Sequence, residues 1–139
     1  FLILKFIAYF VGTLVLLSGV IGISNIMLIV VKERTKEIGI RRALGATPWA
    51  IRSQILSEAI FLTIIAGMAG IAIATGLIAV LNMVLESMPT EDMMFANPTV
   101  DLFVVFIALL ILIGSGLLAG FIPAQMAINI KPVDALRTE

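Results

Sequence analysis

The chain has 139 residues, of which 61% are hydrophobic and 13% charged, and its nine basic and nine acidic groups cancel. A soluble domain carries roughly 45–50% apolar and about 25% charged residues, so a water-soluble globular class is excluded. Cysteine and histidine are absent, which removes a disulfide framework, a thiol nucleophile, an ordinary zinc site and the commonest general base.

The chain opens at Phe1 inside an apolar stretch with no cleavage-site pattern behind it, and it reads as a fragment of a longer protein rather than a signal peptide. Residues 6–31 carry no charge and exceed the ~18–20 apolar residues that a spanning helix needs. A second run covers residues 54–85, with an amphipathic lead-in from Pro48. A third covers 102–124. Backbone groups in lipid must be satisfied within their own segment, so these runs predict helices rather than strands. The expected fold class is an all-α membrane protein: three transmembrane helices with a short cytoplasmic helix between the first and second.

Positive charge orients the spans. The connection 32–52 holds Lys32, Arg34, Lys36, Arg41, Arg42 and Arg52, and the tail 125–139 adds Lys131 and Arg137. Eight of the nine basic residues therefore lie on one side, leaving Lys5 on the other. By the positive-inside rule the 32–52 connection and the C-terminus face the cytoplasm, while the N-terminus and the loop 86–101 face out. That outer loop holds Glu86, Glu91, Asp92 and Asp101, with turn signals at Pro89 and Asn97-Pro98. Its acidity is what an outer loop keeps once basic residues are excluded.

Small residues recur every fourth position within the spans: Ser18 and Gly22, then Ala66, Gly70 and Ala74, then Gly116 and Gly120. Such spacing supports close helix packing or dimerisation. Polar groups inside the spans are few: Asn25, Asn82 and Glu58. Glu58 lies about two turns from the cytoplasmic start of its helix, within reach of water or Arg52, and is read as an interfacial or interhelical structural residue. No carboxylate chain crosses the bilayer to support a proton- or sodium-driven carrier.

The connection reads KERTKEIGIRRALGAT over residues 32–47. Glu37 and Arg41 stand in the favourable order for a helical ion pair. Ile40, Ala43 and Leu44 form an apolar edge, and Gly39, a weak helix former, marks a candidate bend. Gly45 occupies a helix C-cap position, Thr47 an N-cap and Pro48 the first position of the next helix. Such a helix suits either anionic headgroups or a groove on a cytoplasmic partner. Trp49 suits an interfacial anchor.

Two segments carry a family resemblance. NIMLIVVKERTKEIGIRRALGAT (25–47) and GLLAGFIPAQMAINIKPVDALRTE (116–139) resemble the signature and closing motifs of MacB-type ABC transporter permeases in the wider MacB/FtsX family, although the tail AQMAINI carries fewer basic residues than is usual there. The resemblance implies a single C-terminal permease transmembrane domain that follows an N-terminal span and a large extracytoplasmic domain. It implies a coupling helix between the first two spans, with Glu33, Arg34, Glu37, Ile38, Gly39, Arg41, Ala43, Leu44 and Gly45 contacting an ABC ATPase subunit or domain. Implied partners are a second permease in a homodimer or heterodimer, the lipid bilayer of a bacterial inner membrane, and a periplasmic adaptor; no nucleic acid is expected. The chain lacks a Walker-type loop, so a non-enzymatic region that binds no cofactor is expected, with ATP and Mg on the partner ATPase. The expected function is ATP-driven export or extraction of a substrate; an FtsX-like signal relay without solute transport is the alternative.

Overall fold

A computed structural model describes residues 1–87 and 101–137. Four of its helices follow the order α1 (Leu2–Glu33), α2 (Thr35–Ala43), α3 (Pro48–Glu86) and α4 (Leu102–Ile128), and a short α5 (Pro132–Arg137) ends it. The protein is thus an all-α membrane protein, in which α1, α3 and α4 are each long and apolar enough to cross a bilayer. The 39 residues of α3 span about 58 Å at ~1.5 Å per residue. That is well beyond a hydrocarbon core of ~30 Å, so the Pro48 end of α3 extends outside the lipid. Most of the acidic loop predicted at 86–101 lies outside the described residues.

Four hydroxyl groups within the spans find partners on their own helices. Thr13 donates to the Tyr9 carbonyl, Thr63 to Ala59, Thr75 to Ile71 and Ser115 to Leu112, at 2.7–2.9 Å. This is the cheapest way to carry a hydroxyl through an apolar medium. The start of α4 is capped by Asp101, whose carboxylate accepts from the Phe103 N–H at 3.1 Å.

The packing is asymmetric. α4 lies against both α3 and α1, while α1 and α3 meet over a short stretch only. The buried face of α4 is Ser115, Gly116, Ala119, Gly120, Pro123, Ala124 and Ala127. Six of these seven are small, and the face lets the α3 backbone come close. A Cβ at Gly116 would sit 2.9 Å from Thr63 Oγ1 and 3.0 Å from Ile60 Cα, and one at Gly120 would sit 2.9 Å from Ala59 Cβ. Gly67, absent from the predicted stripe, is similarly blocked by the Leu112 methyl groups. By contrast Ser18, Gly22, Ala66, Gly70 and Ala74 are all exposed, and a Cβ at Gly22 or Gly70 would meet nothing within 4 Å.

The main core gathers at the end of the bundle that bears α2. Met27 and Val31 of α1, Ile51, Ile55 and Ala59 of α3, and Ala124 and Ala127 of α4 form one buried cluster, with Ile38, Ala46 and Ile130 packed against it. Towards the other end α1 stands away, leaving an apolar crevice of about 330 Å³ beside Val15, Gly19, Val20 and Leu112.

The turn from α2 into α3 follows the sequence closely. Gly45 has φ +100°, its N–H donates to the Arg42 carbonyl at 3.1 Å, and the Ala46 N–H donates to Arg41 at 3.0 Å. This is a Schellman closure of α2. Thr47 then caps α3, its hydroxyl accepting from the Ala50 N–H at 3.3 Å, with Pro48 opening the helix. The bend anticipated at Gly39 is not there: α2 runs through Gly39, which is buried, and the break falls at Arg34 (φ −91°, ψ 10°). Burial against neighbouring helices offsets the weak helix propensity of glycine.

Gly116→Ala and Gly120→Ala should each destabilise the protein by about 1–3 kcal/mol, read as a lower thermal midpoint in detergent, whereas Gly12→Ala, placed in open space, should cause no loss. Gly45→Ala, forcing a Cβ into the left-handed region, should cost about 1–2 kcal/mol and raise amide hydrogen exchange around Gly45 and Ala46.

Candidate functional site: the α2 connection

α2 lies where three helix ends meet, and its two sides have different fates. On one side Ile38 packs on the core cluster and Gly39 is buried. The same helix packs against α5. Arg42, half-buried, donates from Nη1 to the Ile128 carbonyl at 3.2 Å. That places a cation on the unsatisfied carbonyl end of α4, whose last turn contains no basic residue of its own. Arg52 adds a second tie between α3 and α4 by donating to Gln125 Oε1 at 3.0 Å.

The opposite side is exposed among the described residues. Lys36, Ile40, Ala43 and Leu44 recur at helical spacing and all are exposed, with Ile40 at 43% and Leu44 at 84%. Trp49, at the start of α3, is also exposed. The predicted apolar edge therefore points away from the bundle. The inner seat is made instead by Ile38 and Gly39.

Between the seat and α3 runs a polar chain. Arg41 donates from Nη2 to Glu37 Oε1 at 2.7 Å and from Nη1 to Gln54 Oε1 at 2.9 Å. Gln54 Nε2 donates to Glu58 Oε1 at 3.3 Å, and Arg34 Nη1 reaches the same oxygen at 3.3 Å. These five side chains rim a narrow cleft floored by Met27, Val31, Ile51 and Ile55, with about 30 Å³ of space. That is room for little more than a water, so the cleft is a joint between helices and not a ligand pocket. Among the described residues no three His, Cys, Asp or Glu side chains gather to hold a metal.

The residues singled out from the sequence thus separate. Ile38 and Gly39 sit in the seat, Arg34, Glu37 and Arg41 in the polar chain, Ala43 and Leu44 on the outer edge, and Gly45 in the turn. Glu33 is exposed at the end of α1. Glu58 pairs with Arg34, not with the expected Arg52, which is taken up by Gln125. The sequence reading assigned no role to Gln54 or Arg42. Gln54 was within reach, because Gln54 and Glu58 flank the buried Ile51–Ile55–Ala59 stripe at i, i+4 spacing. The bond from Arg42 to Ile128 joins residues far apart in the chain and had no local signal.

Comparison with known proteins gives this site its setting. The FtsX-like permease C-terminal model matches residues 9–132. The chain is similar to the macrolide export ATP-binding/permease protein MacB of Chromobacterium violaceum, with 39% identity over 129 residues, covering 93% of this chain and 19% of that protein. The MacB of Agrobacterium fabrum is 40% identical over 126 residues, covering 91% and 18%. The pyoverdine export ATP-binding/permease protein PvdT of Pseudomonas syringae pv. syringae is 40% identical over 133 residues, covering 93% and 18%. The chain spans less than a fifth of the length of these relatives. With the family model extending from within α1 to the start of α5, the chain belongs to the FtsX-like permease C-terminal family.

Proposed function

We propose that this chain is the membrane permease region of an ATP-driven ABC exporter in a bacterial inner membrane, and that α2 is the element on which the ATPase acts. The observation that carries this reading is the division of α2 into a side held by the membrane helices and an exposed Ile40–Leu44 edge. A short helix anchored on one face and apolar on the other has the form of a helix that docks into a groove. The positive charge of the α2 end supports a cytoplasmic position for it, on the side where ATP is available. Relatives described as export ATP-binding/permease proteins favour an exporter over a relay that moves no solute. The ATPase, fused or separate, supplies the ATP and Mg chemistry. A load on α2 passes through Ile38, Gly39 and Arg42 into α4 and α5, and through the polar chain into α3. The exposed small residues Ser18, Gly22, Ala66, Gly70 and Ala74 suit contact with a second permease chain.

In the full-length protein, a photocrosslinking side chain introduced at position 44 should join the ATPase, mapped by mass spectrometry whether that ATPase is fused or separate. Leu44→Asp should cut permease-stimulated ATP hydrolysis by about tenfold or more while leaving the thermal midpoint unchanged. Normal hydrolysis and no crosslink would remove the assignment. For orientation, Leu44→Cys should react with a membrane-impermeant maleimide in inverted vesicles only, and Lys5→Cys in right-side-out vesicles only; the reverse pattern would invert the topology.

A further inference from the structure

The break between α1 and α2 is one residue long, at Arg34. Hydrogen bonding runs through it on both sides: the Arg34 N–H donates to Val30 at 3.0 Å, and the Arg34 carbonyl accepts from Ile38 at 2.9 Å. The Thr35 hydroxyl donates to the Val31 and Lys32 carbonyls at 3.1 and 2.8 Å, satisfying acceptors at the end of α1. All of these bonds are local and leave open the direction in which α2 departs relative to α3. Among the described residues, the side-chain bond that ties the break itself to α3 is Arg34 to Glu58. The same Glu58 oxygen receives Gln54, and Gln54 holds Arg41 in the last turn of α2. One carboxylate on α3 thus grips α2 at its start and, through one intermediary, near its end.

Stability does not account for this arrangement. The Arg34 and Glu58 side chains are 52% and 35% exposed, and ion pairs of that kind contribute little to folding. Their geometry does constrain, because Glu58 Oε1 takes Arg34 at the break directly and takes Gln54 of its own helix, whose Oε1 in turn holds Arg41 of α2. We infer that Glu58 is a positioning residue. Through Arg34 and the Gln54–Arg41 link it sets the angle at which α2 leaves α1, and so presents the Ile40–Leu44 edge to the ATPase. The second half of that statement rests on the docking role proposed for α2; the first half does not.

The test uses the full-length protein with its ATPase in lipid nanodiscs. Spin labels at Lys36→Cys and Phe61→Cys, both exposed positions, in a cysteine-free background report the distance between α2 and α3. The parent should give one narrow distribution, Glu58→Gln and Arg34→Gln should each broaden it, and the reciprocal swap Arg34→Glu with Glu58→Arg should narrow it again. Stimulated ATP turnover should fall about threefold or more in each single variant and recover by more than half in the swap, with the crosslink at position 44 retained throughout. Unchanged distances in Glu58→Gln, or a swap no better than the single variants, would overturn the inference. Broadened distances without any crosslink at position 44 would uphold the positioning role and remove the docking one. A retained crosslink with unchanged distances would do the opposite.

Discussion

The close approach of α3 and α4 is the contact on which the rest of the structure depends. Lipid tails are as apolar as leucine, so helices in a bilayer gain little from burying hydrophobic surface against each other and must instead gain contact density. Gly116 and Gly120 supply it by bringing the α4 backbone against Ile60, Thr63, Ala59 and Leu56. Once α4 is seated on α3, its other flank receives the inner part of α1, where Ser24, Met27 and Val31 are buried. α1 is thereby held at one end, and towards the other it stands away from α3.

This asymmetry places α2. The core cluster lies where the helices converge, and α2 rests on that convergence through Ile38 and Gly39. A short helix of this length would not be stable alone in water. It persists because tertiary contacts hold one face, a Schellman turn closes its end, and two arginines satisfy partners on neighbouring helices. Arg42 meets the carboxyl end of α4, and Arg41 links Glu37 to Gln54. Basic residues on which the predicted orientation rests also fasten α2 to the bundle. Its exposed edge is then a surface with fixed geometry, which is what a docking element requires.

Much of this was legible from residue order. Uninterrupted apolar runs demand helices because lipid offers the backbone no other partner, and Gly45, Thr47 and Pro48 spell out a turn whose φ and capping requirements are local. The i, i+4 pair of Glu37 and Arg41 was equally legible. The small-residue pattern was legible as a pattern but not as a partner assignment. A spacing that recurs four times cannot say which of its seven residues face another helix of the same chain, and only Gly116 and Gly120 do so closely in the structure.

Sequence alone therefore determined the helical spans, the segments in which positive charge collects, and the chemistry of the turn after α2, because each follows from residue order, from bonds within a few residues or from transfer out of water. Only the tertiary structure decided that Glu58 takes Arg34 and not Arg52, that the chain breaks at Arg34 and not at Gly39, and that Arg42 closes α4. Those outcomes depend on which helix ends converge, and convergence is set by the α3–α4 contact, whose partners are separated by about fifty residues of chain. KERTKEIGIRRALGAT carries the parts of an amphipathic helix, and the fold decides which of its faces is held and which is exposed.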